Sequence, residues 1–206
     1  MTDTVYAEAA ELRAQPDSQI TGQDDVLNVL LAAASRAVDG YCNRPDGFVA
    51  EDTATARVYA GNGCAHVWID ECIAVTAVAV KTSVTTTTYT AWSAADWVTF
   101  RGDPARPNFN RTPYHGLLVL PSGSHATFLN GGGLPTVQVT AKWGYAEVVP
   151  PAVKQATITL AARWFKRGAD YWADTIGNAD YGTKEYRKVI DPDVAFMLKM
   201  GRFIRK

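Results

Sequence analysis

The sequence predicts an α+β fold. A small helical core, made by an N-terminal helix, a helix after Pro151 and a C-terminal helix, receives an inserted antiparallel β-sheet or small β-barrel. Two patterns carry this. Apolar residues recur at helical spacing over 24–42 and again over 151–168, whereas from about 55 to 145 the chain turns to short runs of Val, Thr and aromatics divided by Gly, Asn, Pro and Asp. With 206 residues, 47% of them hydrophobic, the chain can bury a core without covalent staples.

The first element is ITGQDDVLNVLLAAASRAVDGYCNRP. On a 3.6-residue period Val26, Leu27, Leu30, Leu31, Ala34, Ala37, Val38 and Tyr41 share one side, with Asn28, Ser35, Arg36 and Asp39 opposite. Thr21 and Asp24 have the spacing of a capping box, and Pro45 marks a stop.

The β-type segments are ARVYAG, HVWID, IAVTAVAV, VTTTTYTAW, WVTF, LLVL and TVQVTAKWGY. In the last of these Val137, Val139 and Ala141 alternate with Gln138, Thr140 and Lys142, the signature of a half-buried strand. RGDPARPNFNRTPYHG and PSGSHATFLNGGGLP read as loops, and loops of that length suggest contact surfaces.

Helix returns in VVPPAVKQATITLAARWFKRG. Pro151 suits a first turn, where its missing N–H is no loss, and Gly168 suits a stop. Val153, Ala156, Thr157, Leu160 and Trp164 form one stripe, and Ile158, Ala161 and Phe165 an adjacent one. Together they span about two thirds of the circumference, against a little over 100° for a helix with a single buried side. Either other parts of the same chain cover both stripes, or a second subunit covers one. RGADYWADTIGNADYG then forms a connection with Gly177 and Gly182 as hinge candidates, and DPDVAFMLKMGRFIRK a short final helix capped by Asp191 or Asp193. The chain thus divides into an N-terminal segment with the first core helix (1–54), an inserted β unit (55–147), a second core helix with its connection (148–183) and a C-terminal segment (184–206).

Lys plus Arg number 20 and Asp plus Glu 21, a balance that disfavours tight binding to nucleic acid. The charge is uneven, however. Residues 1–25 hold six acids against Arg13, and residues 184–206 hold seven bases against Glu185, Asp191 and Asp193, so the two ends suit different partners. Cys42, Cys64 and Cys72 have neither disulfide-framework nor zinc-site spacing and read as free thiols in a reducing cytoplasm. MTDTVYAEAAELRAQ lacks the pattern of an export signal, and no stretch approaches the roughly 20 apolar residues of a membrane span. No membrane association is therefore expected.

Chemistry is sparse. His66, His115 and His125 lack metal-ligand spacing, GGGLP lacks the Lys-Ser or Lys-Thr of a phosphate loop, and Ser122, Ser124 and His125 fit a turn better than a nucleophile and base. Arg101-Gly102-Asp103 is too short a match to imply adhesion. The six tryptophans, without a basic groove, fit core or interface roles. No catalytic residue, metal or cofactor is expected. A module that binds a glycan or host surface through the β unit is the alternative of a different class.

Ala34-Ser35-Arg36, Asp39 and Tyr41-Cys42-Asn43-Arg44, followed by TARVYAG and HVWIDECIAVTAVAV, resemble the opening of the head-tail connector (adaptor) proteins of long-tailed bacteriophages. VPPAVKQATITLAARWFKR resembles that family's second helix, and DPDVAFMLKMGRFIRK its C-terminal segment. The likeness covers about 120 residues at the two flanks, and the roughly 90 residues between them depart from the shortest members. It implies a structural virion protein, made in the host bacterial cytoplasm and located in the head-tail neck. It would form a homo-oligomeric ring of twelve subunits between the portal protein and a downstream neck, stopper or tail protein, passing DNA without gripping it. It further implies a subunit interface on Ile158, Leu160, Ala161, Trp164 and Phe165. Portal docking would use Phe196, Leu198, Met200, Arg202, Phe203, Ile204, Arg205 and Lys206. Another neck or tail-completion protein is the alternative within this class.

Overall fold

The computed structural model describes residues 4–15, 20–21, 23–169, 175–178, 182–185 and 190–205; Trp172 and Lys206 lie outside them. The chain divides into two compact units, one of Met1–Gly47 with Val149–Lys206 and one of Phe48–Val148.

The first unit is built on helices. A short α1 (Ala9–Arg13), not expected from the residue pattern, buries Leu12, and the Glu8 N–H donates to Glu11 Oε2 (3.0 Å) at its start. The longer α2 spans Asp24–Tyr41. The expected Thr21–Asp24 capping box does not form: Gln23 occupies the N-cap without a side-chain bond, and Asp24 is paired with Arg13 of α1. The buried face of α2 is also rotated from the expected one. Leu27, Leu31, Ala34 and Val38 point inward together with Ser35 and Asp39, whereas Val26 and Tyr41 are exposed.

α3 spans Pro151–Ala169 and packs against α1, α2 and α4 (Pro192–Met200). This covers part of both apolar stripes: Val153, Ala156, Leu160, Ile158 and Ala161 are buried, whereas Trp164 and Phe165 are half-buried. α4 begins with a side-chain cap, Asp191 Oδ1 accepting from the N–H groups of Asp193 (2.7 Å) and Val194 (3.3 Å). Gly177 and Gly182, the hinge candidates, fall in a two-stranded antiparallel ribbon, Thr175–Asn178 with Gly182–Glu185.

The second unit is a six-stranded antiparallel sheet. Its strands are β1 (Thr55–Ala60), β2 (His66–Val80), β3 (Thr90–Ala91), β4 (Trp97–Phe100), β5 (Tyr114–Val119) and β6 (Pro135–Trp143). They run in the order β1-β6-β2-β5-β4, with β3 added beside the end of β2. β1 and β4 do not pair, so the sheet is open and not a barrel. HVWID and IAVTAVAV, expected as separate strands, form one 15-residue strand whose register shifts between Trp68 and Cys72 and again before Ala77. Bulges of this kind let β2 bend, so that its first half pairs with β5 and its second with β6. VTTTTYTAW yields only the two residues of β3. Thr86 turns back, its hydroxyl donating to the Ser83 carbonyl (2.8 Å), and such local hydroxyl bonds compete with a ladder.

Val67, Val78, Leu117, Val137, Val139 and Trp143 form the core face of the sheet. Phe128, from the loop over 121–135, is fully buried on it, and its N–H donates to the Cys64 carbonyl (3.0 Å). That loop therefore serves as a cover for the core. The other long loop keeps Phe109 exposed.

Candidate interaction surfaces

The residues with chemical potential are held in structural roles. Asp96 is buried, and its carboxylate accepts from the N–H groups of Ser93 (3.0 Å) and Ser124 (2.7 Å), so Ser122, Ser124 and His125 belong to a turn wrapped on it. His125 stacks on Trp92 with ring centroids 4.1 Å apart, and Trp92 stacks in turn on Phe128. His115 lies on Trp68, and its Nε2 accepts from the Gly102 N–H (3.1 Å). In the Arg101-Gly102-Asp103 stretch, Arg101 donates to the Thr112 carbonyl (2.6 Å) and Asp103 accepts from Ala105 N–H (2.8 Å), so both charged ends bind their own loop. Burial pushes the Cys42 thiol up to about 11 and the Cys72 thiol up to about 12, which keeps both unreactive at neutral pH. Among the described residues no group of three or more His, Cys, Asp or Glu could hold a metal ion. Nor is any helix among the described residues long and apolar enough to cross a membrane.

The motif at the end of α2 acts as a double clasp. Its first half holds the segment before α1. Tyr6 N–H donates to Ser35 Oγ (3.1 Å), Tyr6 OH donates to Asp39 Oδ1 (2.5 Å), and Arg36 donates to the Thr4 carbonyl (2.8 Å) while pairing with Asp39 Oδ2 (3.0 Å). Asp39 is buried, and desolvation raises its pKa despite the Tyr6 hydrogen bond and the Arg36 charge, which both lower it. Gly47, at φ +78°, leaves room for the Tyr6 hydroxyl, which would lie 2.7 Å from a Cβ there.

The second half of the motif holds the C-terminal segment. Buried Arg44 donates through Nε to the Phe203 carbonyl (2.7 Å), and the Arg205 N–H donates to the Cys42 carbonyl (2.9 Å). Phe203 folds back over Gly201, where a Cβ would come within 2.1 Å of its ring, and its N–H donates to the Leu198 carbonyl (3.1 Å). Composition and spacing gave no sign of either clasp, because the partners lie some 30 and 160 residues from the motif.

The residues proposed from the family likeness separate by burial. On α3, Ile158, Leu160 and Ala161 are buried inside their own unit, and Trp164 and Phe165 are half-buried. At the C-terminus, Leu198 and Phe203 are core residues, and Ile204 is half-buried. Phe196, Met200, Arg202 and Arg205 are exposed. Two aspects were not foreseen: the exposure of Val26 and Val29 on α2, and the pairing of Glu11 with Lys154 (2.8 Å), which holds the Glu11 carboxyl below its ordinary range.

No family model matches this chain, and no curated protein does. Among solved structures it is similar to a chain from the neck of an empty GTA particle computed with C6 symmetry. That alignment covers 98% of this chain and 91% of the other, at 17% identity and a TM-score of 0.53. A chain from the virion of a native gene transfer agent (GTA) particle is similar over the same shares, at 18% identity and a TM-score of 0.48. The chain thus shares, over 98% of its length, the fold of a chain from the neck of a GTA particle.

Proposed function

We propose that this protein is a structural component of a virion neck, a head-tail adaptor that forms a ring of identical subunits beneath the portal. The ring would bridge the portal to the next neck, stopper or tail protein and let DNA pass through its lumen. The observation that carries the reading is the end-to-end likeness to a neck chain, which covers 98% of this chain. The motif at the end of α2 supports it independently, since its residues resemble those of the adaptor family. Twelve subunits are compatible with the C6 symmetry of that neck, because a ring of twelve contains a sixfold axis.

In this reading the half-buried Trp164 and Phe165 contribute to contacts around the ring. Ile204 and Arg205, at the clasped end of the chain, face the portal, where the basic group of Arg205 suits acidic partners. The balanced charge of the chain suits a lumen that passes DNA without holding it. In vitro complementation tests the function: filled heads from particles lacking this protein, mixed with tails, should yield joined particles only when the purified protein is added. Joining without it, or failure to join with it, would reject the adaptor role.

A further inference from the structure

The first unit carries two separate groups of exposed large apolar residues. On α2, Val26 (53% exposed) and Val29 (69%) lie with Ala33 on a stripe turned away from the helix's buried side, with half-buried Leu30 between them. On α4, Phe196 (65%) and Met200 (67%) are one helical turn apart, on the side away from buried Val194 and Leu198. The charges beside them are opposite. Asp25 lies exposed in the first turn of α2, whereas Lys199 and Arg202 flank Met200 at the end of α4.

One copy cannot join these groups. The Arg44 and Arg205 bonds hold the end of α4 beside residues 42–44, at the C-terminal end of α2. Val29 lies about 20 Å away along that helix, thirteen residues at about 1.5 Å each. Two complementary surfaces at opposite ends of one unit make a head-to-tail contact, the kind that closes a ring. We infer that Phe196 and Met200 of one copy pack on Val26, Val29 and Ala33 of the next. Asp25 then faces Lys199 and Arg202, and the two helices run antiparallel, so the partial charges at their ends are also opposed favourably. This inference rests on the proposed ring and assigns one of its contacts.

Disulfide trapping tests it, since a bond forms only where Cα atoms come within about 7 Å. In a Cys64→Ser background, which removes the exposed native thiol, Val29→Cys and Met200→Cys are made singly and together and oxidised mildly, with and without the portal. Both positions are exposed, and circular dichroism would check that the fold is kept. The double variant should give a ladder of covalent dimers, trimers and larger species. An equimolar mixture of the single variants should stop at dimers, and each single variant alone should give none. No ladder under either condition overturns the inference. So do dimers from Val29→Cys alone, which would mean that α2 meets its own copy. Protection of Met200→Cys by the portal without any ladder would assign that face to the portal instead. A ring that forms without the ladder rejects this contact and leaves the adaptor reading intact, whereas a ladder from a protein that ignores the portal does the reverse.

Discussion

The Nε of Arg44 donates to the main-chain carbonyl of Phe203 over 2.7 Å, in a buried setting, across 159 residues of sequence. Together with the Arg205 N–H bond to the Cys42 carbonyl it holds residues 201–205 at the end of α2, and Phe203 is in turn folded against Gly201 and bonded back to Leu198. The segment that the family likeness assigns to portal docking is thus held on its own unit. A partner would meet a shaped surface rather than a loose tail, with less entropy to lose on binding.

Replacing Arg44 by Ala should destabilise the protein by about 2 kcal/mol, the range for a buried bond from a charged donor. It should also expose Arg202 and Arg205 to trypsin under conditions in which the wild type is uncut. Denaturant unfolding and timed digestion with mass spectrometry would check both effects. An unchanged cleavage pattern would show that the tail is held by other contacts.

Asp39 should give the stability a pH dependence of definite sign. Its folded-state pKa lies above the ordinary carboxylate value because burial outweighs Tyr6 and Arg36. As pH rises through the interval between the unfolded and folded values, the unfolded chain has already released the proton that the folded chain still holds. Stability must therefore fall over that interval. Denaturation midpoints of wild type and Asp39→Asn, taken from pH 3.5 upward on the scale where a free Asp titrates near 3.9, should show the wild type losing ground to the variant as pH rises. Tyr6→Phe, lacking the hydroxyl that favours the carboxylate, should widen the interval. A wild-type advantage that grows with pH would contradict the assignment.

Gly116 is required by Phe100. A Cβ on Gly116 would lie 2.4 Å from the buried Phe100 ring, and the two residues are paired across β4 and β5. Gly116→Ala should cost about 1–3 kcal/mol, as overpacking does. Combined with Phe100→Leu it should cost less than the two single changes added together. Thermal melts of the four proteins would measure the coupling, and strict additivity would show that the ring is not what forbids a side chain there.

The parts of the fold that the sequence made legible are those whose pattern is local. α3 announces itself through Pro151 and its apolar spacing, and β6 through the alternation of Val137, Val139 and Ala141. α1 was not visible because five residues are too few to show a period. VTTTTYTAW misled because Val and Thr favour strands, yet here Ser83 and Thr86 close a turn with their own backbone. Ser35 and Asp39 read as a solvent face because their partner, Tyr6, sits about 30 residues away, and no local pattern reports a buried polar bond of that range. The double stripe on α3 did signal more than one covering: α1, α2 and α4 pack on it, and Trp164 and Phe165 are left half-buried.

The central claim is that this protein builds a ring on a portal. The most direct test is its mass by native mass spectrometry, alone and after mixing with the portal of its own particle. The adaptor reading predicts a complex in which a ring of identical copies is bound to the portal assembly. A protein whose mass is unchanged by the portal would contradict it.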